Sequence, residues 1–410
     1  MSTHHPETAD ERRWLILGVV SLAVFMAVMD ISIVNISLPS ITRDLHTQFA
    51  TATWVLNAYN LTFGVLLVTM ALAFANPVVG WLVDRVGAKW LSVAGLLLLS
   101  AGFASLGSFI RSIQGYYLLQ VLVALAGAAS GPIAYSKIVN ETFIRHRGIA
   151  LGVTMTGIGL TAAAVPPVLA GIIADEGWRA GYHQLAFVPL AGAVLTAVLL
   201  PSRHAVGSSS SANATQASAP ATDFLRSRTF WMLAGTFFVL SLSFMGLVPH
   251  LVPMLSDAGL DPRTAGKLAG QMGLAVIGSR MIVGLALDRM FAPRVALVTC
   301  LIAAAGNLVF LLKGVDAASV TAIAMGFALG AELDLMGFLV ARYFGLAQFG
   351  RIYGWLYFAF IFASGLGPLW VGAVRDGTGS YSLALAGSCV GLLASCVGFL
   401  LMPRYPDQLR

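Results

Sequence analysis

Along this chain, long apolar runs alternate with short polar breaks. Twelve runs stand near 14–38, 52–83, 90–110, 113–137, 149–172, 183–201, 229–254, 265–287, 295–312, 317–341, 352–374 and 381–402. Most are about 20 residues long, the length an α-helix needs to cross a hydrocarbon core of ~30 Å. Inside lipid every backbone N–H and C=O must be paired within its own segment, which favours helices; the alternating pattern of a barrel strand is missing. The pattern predicts an all-α membrane protein with twelve transmembrane helices. The second run stands apart, since its 32 residues would make a helix about 48 Å long. The Asn76-Pro77 pair is expected to break or kink it.

Composition changes this picture in two ways. Of 410 residues, 58% are hydrophobic and 10% charged, against roughly 25% charge in a soluble domain. A net charge of +6 on one face would invite nucleic acid, but here the placement is topological. With the N-terminus inside, sixteen Lys and Arg fall in inner segments and seven in outer loops, the bias of the positive-inside rule. Both termini are therefore expected in the cytoplasm, with the protein in a bacterial inner membrane and no nucleic-acid partner. Cys300, Cys389 and Cys396 lie in apolar runs without metal-ligand spacing, which implies neither a disulfide nor a zinc site. There is no nucleophile constellation, phosphate-cradling loop or ATP-binding domain, so no enzyme activity and no cofactor are expected.

The chain also repeats itself. A Ser/Ala/Pro-rich linker at 202–228, including Ser208 to Ser211, separates six runs from six. It divides a tail (1–13) and a first bundle (14–201) from a second bundle (229–403) and a last tail (404–410). Gly284-Leu285-Ala286-Leu287-Asp288-Arg289 echoes Gly80 to Arg85 at an offset of 204, which also relates Arg147 to Arg351. Pro167, Gly171 and Asp175 recur as Pro368, Gly372 and Asp376 at an offset of 201.

The stretch Gly80-Trp81-Leu82-Val83-Asp84-Arg85-Val86-Gly87-Ala88-Lys89 resembles the loop between spans 2 and 3 of the major facilitator superfamily of secondary transporters. Ala88 stands where the family has a further basic residue. The resemblance covers nearly the whole chain. It implies two six-helix bundles related by an axis along the membrane normal, a central site between them, and alternating access. On this reading Gly80, Asp84, Arg85, Gly87, Lys89, Arg147, Gly284, Asp288, Arg289 and Arg351 are gating residues. Asp84 and Asp288 would exchange partners with nearby arginines; the plainer reading makes them static topology anchors.

Charges inside spans are costly and point to function. Arg280 lies about 12 Å along the helix from Asp288, deep enough to need a partner, and a carboxylate fits its planar fork. Gly278-Ser279-Arg280, with Gly284 and Asp288-Arg289, resembles span 8 of the monocarboxylate transporter branch, whose arginine binds the substrate carboxylate. That branch often has an acid one turn earlier, where this chain has Val276. The acids stand instead in span 10, at Glu332 and Asp334. Two residues apart, they sit about 200° apart around the helix. Glu332, the deeper, is expected to take a proton or pair with Arg280, and Asp334 to pair nearer the cytoplasmic end. Arg147-Gly148-Ile149-Ala150-Leu151-Gly152 and Gly177-Trp178-Arg179-Ala180-Gly181-Tyr182 resemble the same branch and its oxalate/formate antiporter relatives. Those relatives carry a span-11 lysine that is missing here, which favours a monoanion.

The first functional reading is thus a proton-coupled carrier of small monocarboxylates in the lipid bilayer, expected as a monomer. Arg280, Tyr357, Asn57 and Tyr135 would line the site, with Glu332, Asp30 and Asp334 carrying protons. Lys137 is expected to snorkel to the cytoplasm. The rival is a proton-driven exporter of drugs and other amphiphiles, because Met29-Asp30-Ile31-Ser32-Ile33-Val34-Asn35 resembles the first span of drug/proton antiporters. A membrane nutrient sensor on the same fold is the third reading.

Overall fold

A computed structural model of the chain describes residues 13–22, 54–200 and 223–406. Asp30 and most of the expected linker lie outside the described residues. In order the helices are α1 (Arg13–Leu22), α2 (Trp54–Val86), α3 (Ala88–Phe109), α4 (Ile113–Ala128), α5 (Pro132–Thr142), α6 (Arg147–Glu176) and α7 (Trp178–Leu199). A 3-10 turn, Asp223–Arg226, leads into α8 (Arg228–Met245), α9 (Leu251–Asp257), α10 (Pro262–Arg289), α11 (Ala292–Lys313), α12 (Ala318–Phe344), α13 (Phe349–Thr378) and α14 (Ser382–Leu400). No strand occurs among the described residues.

Eight stretches among the described residues are long and apolar enough to cross a membrane. One of them, Ala292–Phe344, folds as α11 and α12, which meet at a 3-10 turn, Gly314–Ala317. Single glycines join other helices end to end. Gly87 (φ 97°) and Gly177 (φ 84°) lie in the left-handed region, where a side chain would be strained, so the chain reverses there in one residue.

Several boundaries differ from expectation. Helix α2 runs unbroken through Pro77, so of the break or kink expected at Asn76-Pro77 the break does not occur. A proline removes one backbone donor, and a long membrane helix with packed neighbours absorbs that loss. The run expected at 113–137 is interrupted at 129–131, and Pro132 then opens α5, which continues to Thr142. The run expected to reach 254 stops at Met245, and α9 follows as a separate short helix.

The described helices gather into two compact units, one holding 13–22, 54–144 and 153–200, the other 145–152 and 223–406. In the first, α3 packs along α7 and α4 around a core of Leu99, Phe103, Tyr116, Trp178 and Tyr182. The Tyr116 and Tyr182 hydroxyls share a hydrogen bond of 2.9 Å, which satisfies both inside that core. In the second, α10 packs on α12, α11 on α12 and α14, and α8 on α13 and α14. Both units invert the soluble pattern. Val198, Phe109, Leu274, Leu312 and Val390 point outward, while Lys137, Arg280, Glu332 and Asp334 are buried.

Candidate functional site

The charges buried deepest in the second unit sit where α10 and α12 touch. Helix α10 starts firmly: Pro262 holds its first position, and the Asp261 carboxylate accepts hydrogen bonds from the backbone N–H groups of Arg263 (3.0 Å) and Thr264 (3.1 Å). Hydrogen bonds from Thr264, side chain and backbone, hold that carboxyl below the usual carboxylate range. Along α12, glycines at a spacing of four face α10. A methyl group at Gly326 would collide with the Met272 carbonyl, and one at Gly330 with Ser279 Oγ. The backbones therefore meet closely. The next residue at that spacing is Asp334.

At that point Arg280 Nη1 donates to Asp334 Oδ1 at 3.2 Å, with side-chain exposures of 3% and 0%. The expectation that Glu332 pairs with Arg280 is thus corrected, because the glycine face that brings α12 against α10 carries Asp334. Glu332 points elsewhere. Thr321 Oγ1 donates to the Gly306 carbonyl at 2.8 Å, and Ala324 abuts Gly306. Steps of three and four from 321 through 324 and 328 reach 332, so Glu332 lies on the α11 side of α12. It is buried, and among the described residues its Oε1 has no hydrogen-bond partner; the same holds for Asp334 Oδ2 and Arg280 Nε. The site therefore combines an ion pair, a second acid behind it and one unused guanidinium donor.

The far end of α10 makes a different contact. Asp288 Oδ1 accepts from the Gly148 N–H at 2.7 Å and Oδ2 from the Ile149 N–H at 3.1 Å. These are unpaired donors of the first turn of α6, so the carboxylate caps a helix N-terminus. The approach requires glycine on both sides, since added methyl groups at Gly148 and Gly284 would strike each other's backbone carbonyls. Gly152 likewise abuts the Arg280 carbonyl. Asp288 was expected to pair with arginine and instead binds backbone. Arg289, next to it, is exposed, and Arg147 lies near enough to Arg342 to feel its charge.

In the first unit Asp84 also departs from expectation. Lys137 Nζ donates to Asp84 Oδ1 at 2.5 Å, with Glu141 4.0 Å from the same ammonium. Lys137 therefore does not snorkel, because its 5%-exposed side chain is drawn inward by the acid. Arg85 stacks on Trp81 at 5.1 Å, and Lys89 donates to the Leu200 carbonyl at 2.6 Å. Gly80 is buried.

Of the other expected lining residues, Tyr135 lies in the first unit and Tyr357 in the second. The Tyr135 side chain is fully buried there. Tyr357 stacks on Phe360 along α13, and Arg351 opens that helix. The side chain of Asn57 lies outside the described residues, as does Asp30. Sequence reasoning missed Lys137 as an ion-pair partner and the glycines that set both contacts of α10. The signal for the glycines was present as Gly148-x-x-x-Gly152 and Gly326-x-x-x-Gly330.

Comparison with known proteins places this geometry. A sequence profile described as the Major Facilitator Superfamily matches residues 20–368. A tetracenomycin C resistance and export protein of Streptomyces glaucescens is 30% identical over 198 residues, 47% of this chain and 34% of that protein. A puromycin resistance protein of Streptomyces alboniger is 33% identical over 204 residues, 48% of this chain and 37% of its own length. A multidrug export protein of Haemophilus influenzae is 30% identical over 167 residues, 39% and 30% of the two chains. The matched stretches span about a third of these relatives. Among solved structures, a proton:xylose symporter superposes with a TM-score of 0.77 at 12% identity over 96% of both chains. A human organic anion transporter does so at 0.70 and 15%, covering 95% of this chain and 98% of its own. At those identities the superpositions speak for the fold, in which twelve helices form two bundles.

Proposed function

Because the chain belongs to the Major Facilitator Superfamily, and is therefore a multi-pass membrane transporter, we propose that it exports small amphiphilic organic molecules against a proton gradient. The supporting observation is that Arg280 already has a carboxylate, Asp334, at 3.2 Å. An arginine kept for an anionic substrate would hold its charge open. This one has its charge balanced, so the pair acts as an internal switch rather than a substrate anchor. Relatives whose names describe drug resistance and export favour the same reading.

In this mechanism a proton arriving on Asp334 releases Arg280, and loss of the proton restores the pair. Breaking a buried pair costs on the order of 3–5 kcal/mol, enough to bias a two-state equilibrium strongly. Glu332, behind the pair, serves as the second proton-carrying group, and Asp30 as a third in the opposite half. Asp288 on the α6 N-terminus and Asp84 on Lys137 are the contacts released and remade during alternating access. Moving one charge across the membrane is worth ~2.3 kcal/mol per 100 mV, so neutralising an acid during the return step makes the drive usable. Both termini are cytoplasmic.

Carriage of monocarboxylates stays as a second reading, favoured by the unpartnered Arg280 Nε. It requires a substrate carboxylate to replace protonated Asp334 on the guanidinium. Proteoliposomes holding the full chain under an imposed pH gradient separate the two. Ethidium extrusion that falls at least tenfold in Asp334→Asn, with no uptake of labelled lactate by the wild type, is the expected result. Gradient-driven lactate uptake abolished in Arg280→Ala, with ethidium unaffected, would establish the carboxylate reading instead.

A further inference from the structure

The segment after α14 folds back onto the second unit through Tyr405 and Pro403. Tyr405 Oη accepts a hydrogen bond from the Ala292 N–H at 3.0 Å. That N–H is the first donor of α11, and the preceding residue, Phe291, offers no side-chain cap. The Tyr405 ring lies 4.9 Å from Phe291 and 5.1 Å from Tyr343, and the Arg342 guanidinium sits 4.8 Å from its centroid. The Tyr343 hydroxyl donates to the Pro403 carbonyl at 2.6 Å, which pins the backbone of the same segment.

These contacts join two particular helix ends. Phe291 and Ala292 follow directly on the last turn of α10, the helix of Arg280 and Asp288. Arg342 and Tyr343 form the last turn of α12, the helix of Asp334. From the ion pair to either end is two to three turns, about 12–15 Å. With Gly326 and Gly330 seating the helices farther along, one side chain closes the open end of the pair.

We propose that Tyr405 is a positioning residue that clamps the ends of α10 and α12 and so fixes the register of the Arg280–Asp334 pair. The clamp acts on helix geometry and touches no substrate. Its link to transport rests on the reading of that pair as the coupling element. A segment that merely covers apolar surface would tolerate any bulky residue. The clamp needs both the ring, for Arg342, Phe291 and Tyr343, and the hydroxyl, for Ala292.

The test uses the full chain in detergent and in proteoliposomes, with Tyr405→Ala, Tyr405→Phe and Arg280→Ala. Hydrogen exchange is followed by mass spectrometry, and transport by ethidium extrusion. Tyr405→Ala is expected to speed exchange at least tenfold in the last turns of α10 and α12 and the first of α11, leaving α3 and α7 unchanged. Tyr405→Phe is expected to speed it only at the start of α11 and to restore at least half of the extrusion lost in Tyr405→Ala. Unchanged exchange at the ends of α10 and α12 in Tyr405→Ala overturns the clamp. If that variant does not fold, Tyr405→Phe decides, since unchanged exchange at the start of α11 removes the hydroxyl contact on which the clamp depends. Should exchange respond as expected while Arg280→Ala extrudes ethidium normally, the clamp stands and the transport reading of the pair falls.

Discussion

The two charged turns of the repeat share a sequence and differ in what they hold. Gly80 to Arg85 and Gly284 to Arg289 align residue for residue at Gly, Asp and Arg. Asp84 is met by an ammonium, Lys137, inside the first unit, whereas Asp288 is met by two backbone N–H groups at the start of α6. Each partner is set by what the neighbouring helix presents. The position 204 residues after Lys137 is Ala341, so the second half has no lysine at the equivalent place. Glycines at 148 and 284 let a helix N-terminus approach instead. A duplicated motif thus preserves the need for a positive partner, while surrounding packing decides between a mobile side chain and a fixed backbone dipole.

The sharpest way to break this comparison is to remove the ammonium. Lys137→Ala should lower stability by on the order of 3 kcal/mol, because a largely buried carboxylate loses its counter-charge. Thermal unfolding in detergent reads this directly. The double variant Asp84→Asn/Lys137→Met should recover most of the loss; no recovery would mean that the cost arises elsewhere.

Asp288→Asn probes the other half more gently, since the amide keeps one acceptor oxygen for one of the two N–H groups while losing the charge and the second acceptor. A loss of about 1–2 kcal/mol is expected, the range for a charge at a partly buried helix N-terminus. Faster hydrogen exchange at Gly148 and Ile149 would locate it, and unchanged exchange there would contradict the capping role.

The smallest effect concerns Asp261, a second acid on backbone N–H groups, here exposed to solvent. Its folded-state pKa is depressed by Thr264, so its contribution is present above the ordinary carboxylate value near ~3.9. It is lost as pH falls through the lower folded value. The melting-temperature gap between wild type and Asp261→Ala should therefore be open at neutral pH and narrow on acidification. A gap that stays constant would show that the carboxylate is not the cap.

Much of the fold was legible because membrane crossing leaves a simple mark, twenty apolar residues between polar breaks, and because the repeat preserved its charged turns. Helix joints were less legible. At 129–131 a break hides inside an apolar run, and Pro77 advertises one that does not form. The site shows the same divide. Arg280, Glu332 and Asp334 stand out as intramembrane charges, and the angle between the two acids follows from helix geometry alone. Which acid meets Arg280 depends on which face of α12 lies on α10, and that is decided by Gly326 and Gly330, readable as a spacing but not as a partner. The monocarboxylate expectation came from Arg280 and its resemblance to span 8 of that branch, with Glu332 rather than Asp334 as the favoured counter-charge. Asp334, 54 residues away, supplies it only once the helices pack.

The length of α2 has a consequence for the bilayer itself. Its 33 residues make a rod about 50 Å long, set against a hydrocarbon core of ~30 Å. Even at a tilt of about 40°, the steep end of what membrane helices adopt, crossing takes only about 39 Å of it. The first charge along the rod is Asp84, pinned to Lys137, so depth is anchored there and the surplus lies toward Trp54. Hydrophobic mismatch is then absorbed at one end: a thicker bilayer covers more of an uncharged overhang, and a thinner one leaves more of it in water, while the anchored turn keeps its level. Lipid thickness becomes a setting that adjusts the tilt of α2 without disturbing the charge that holds it.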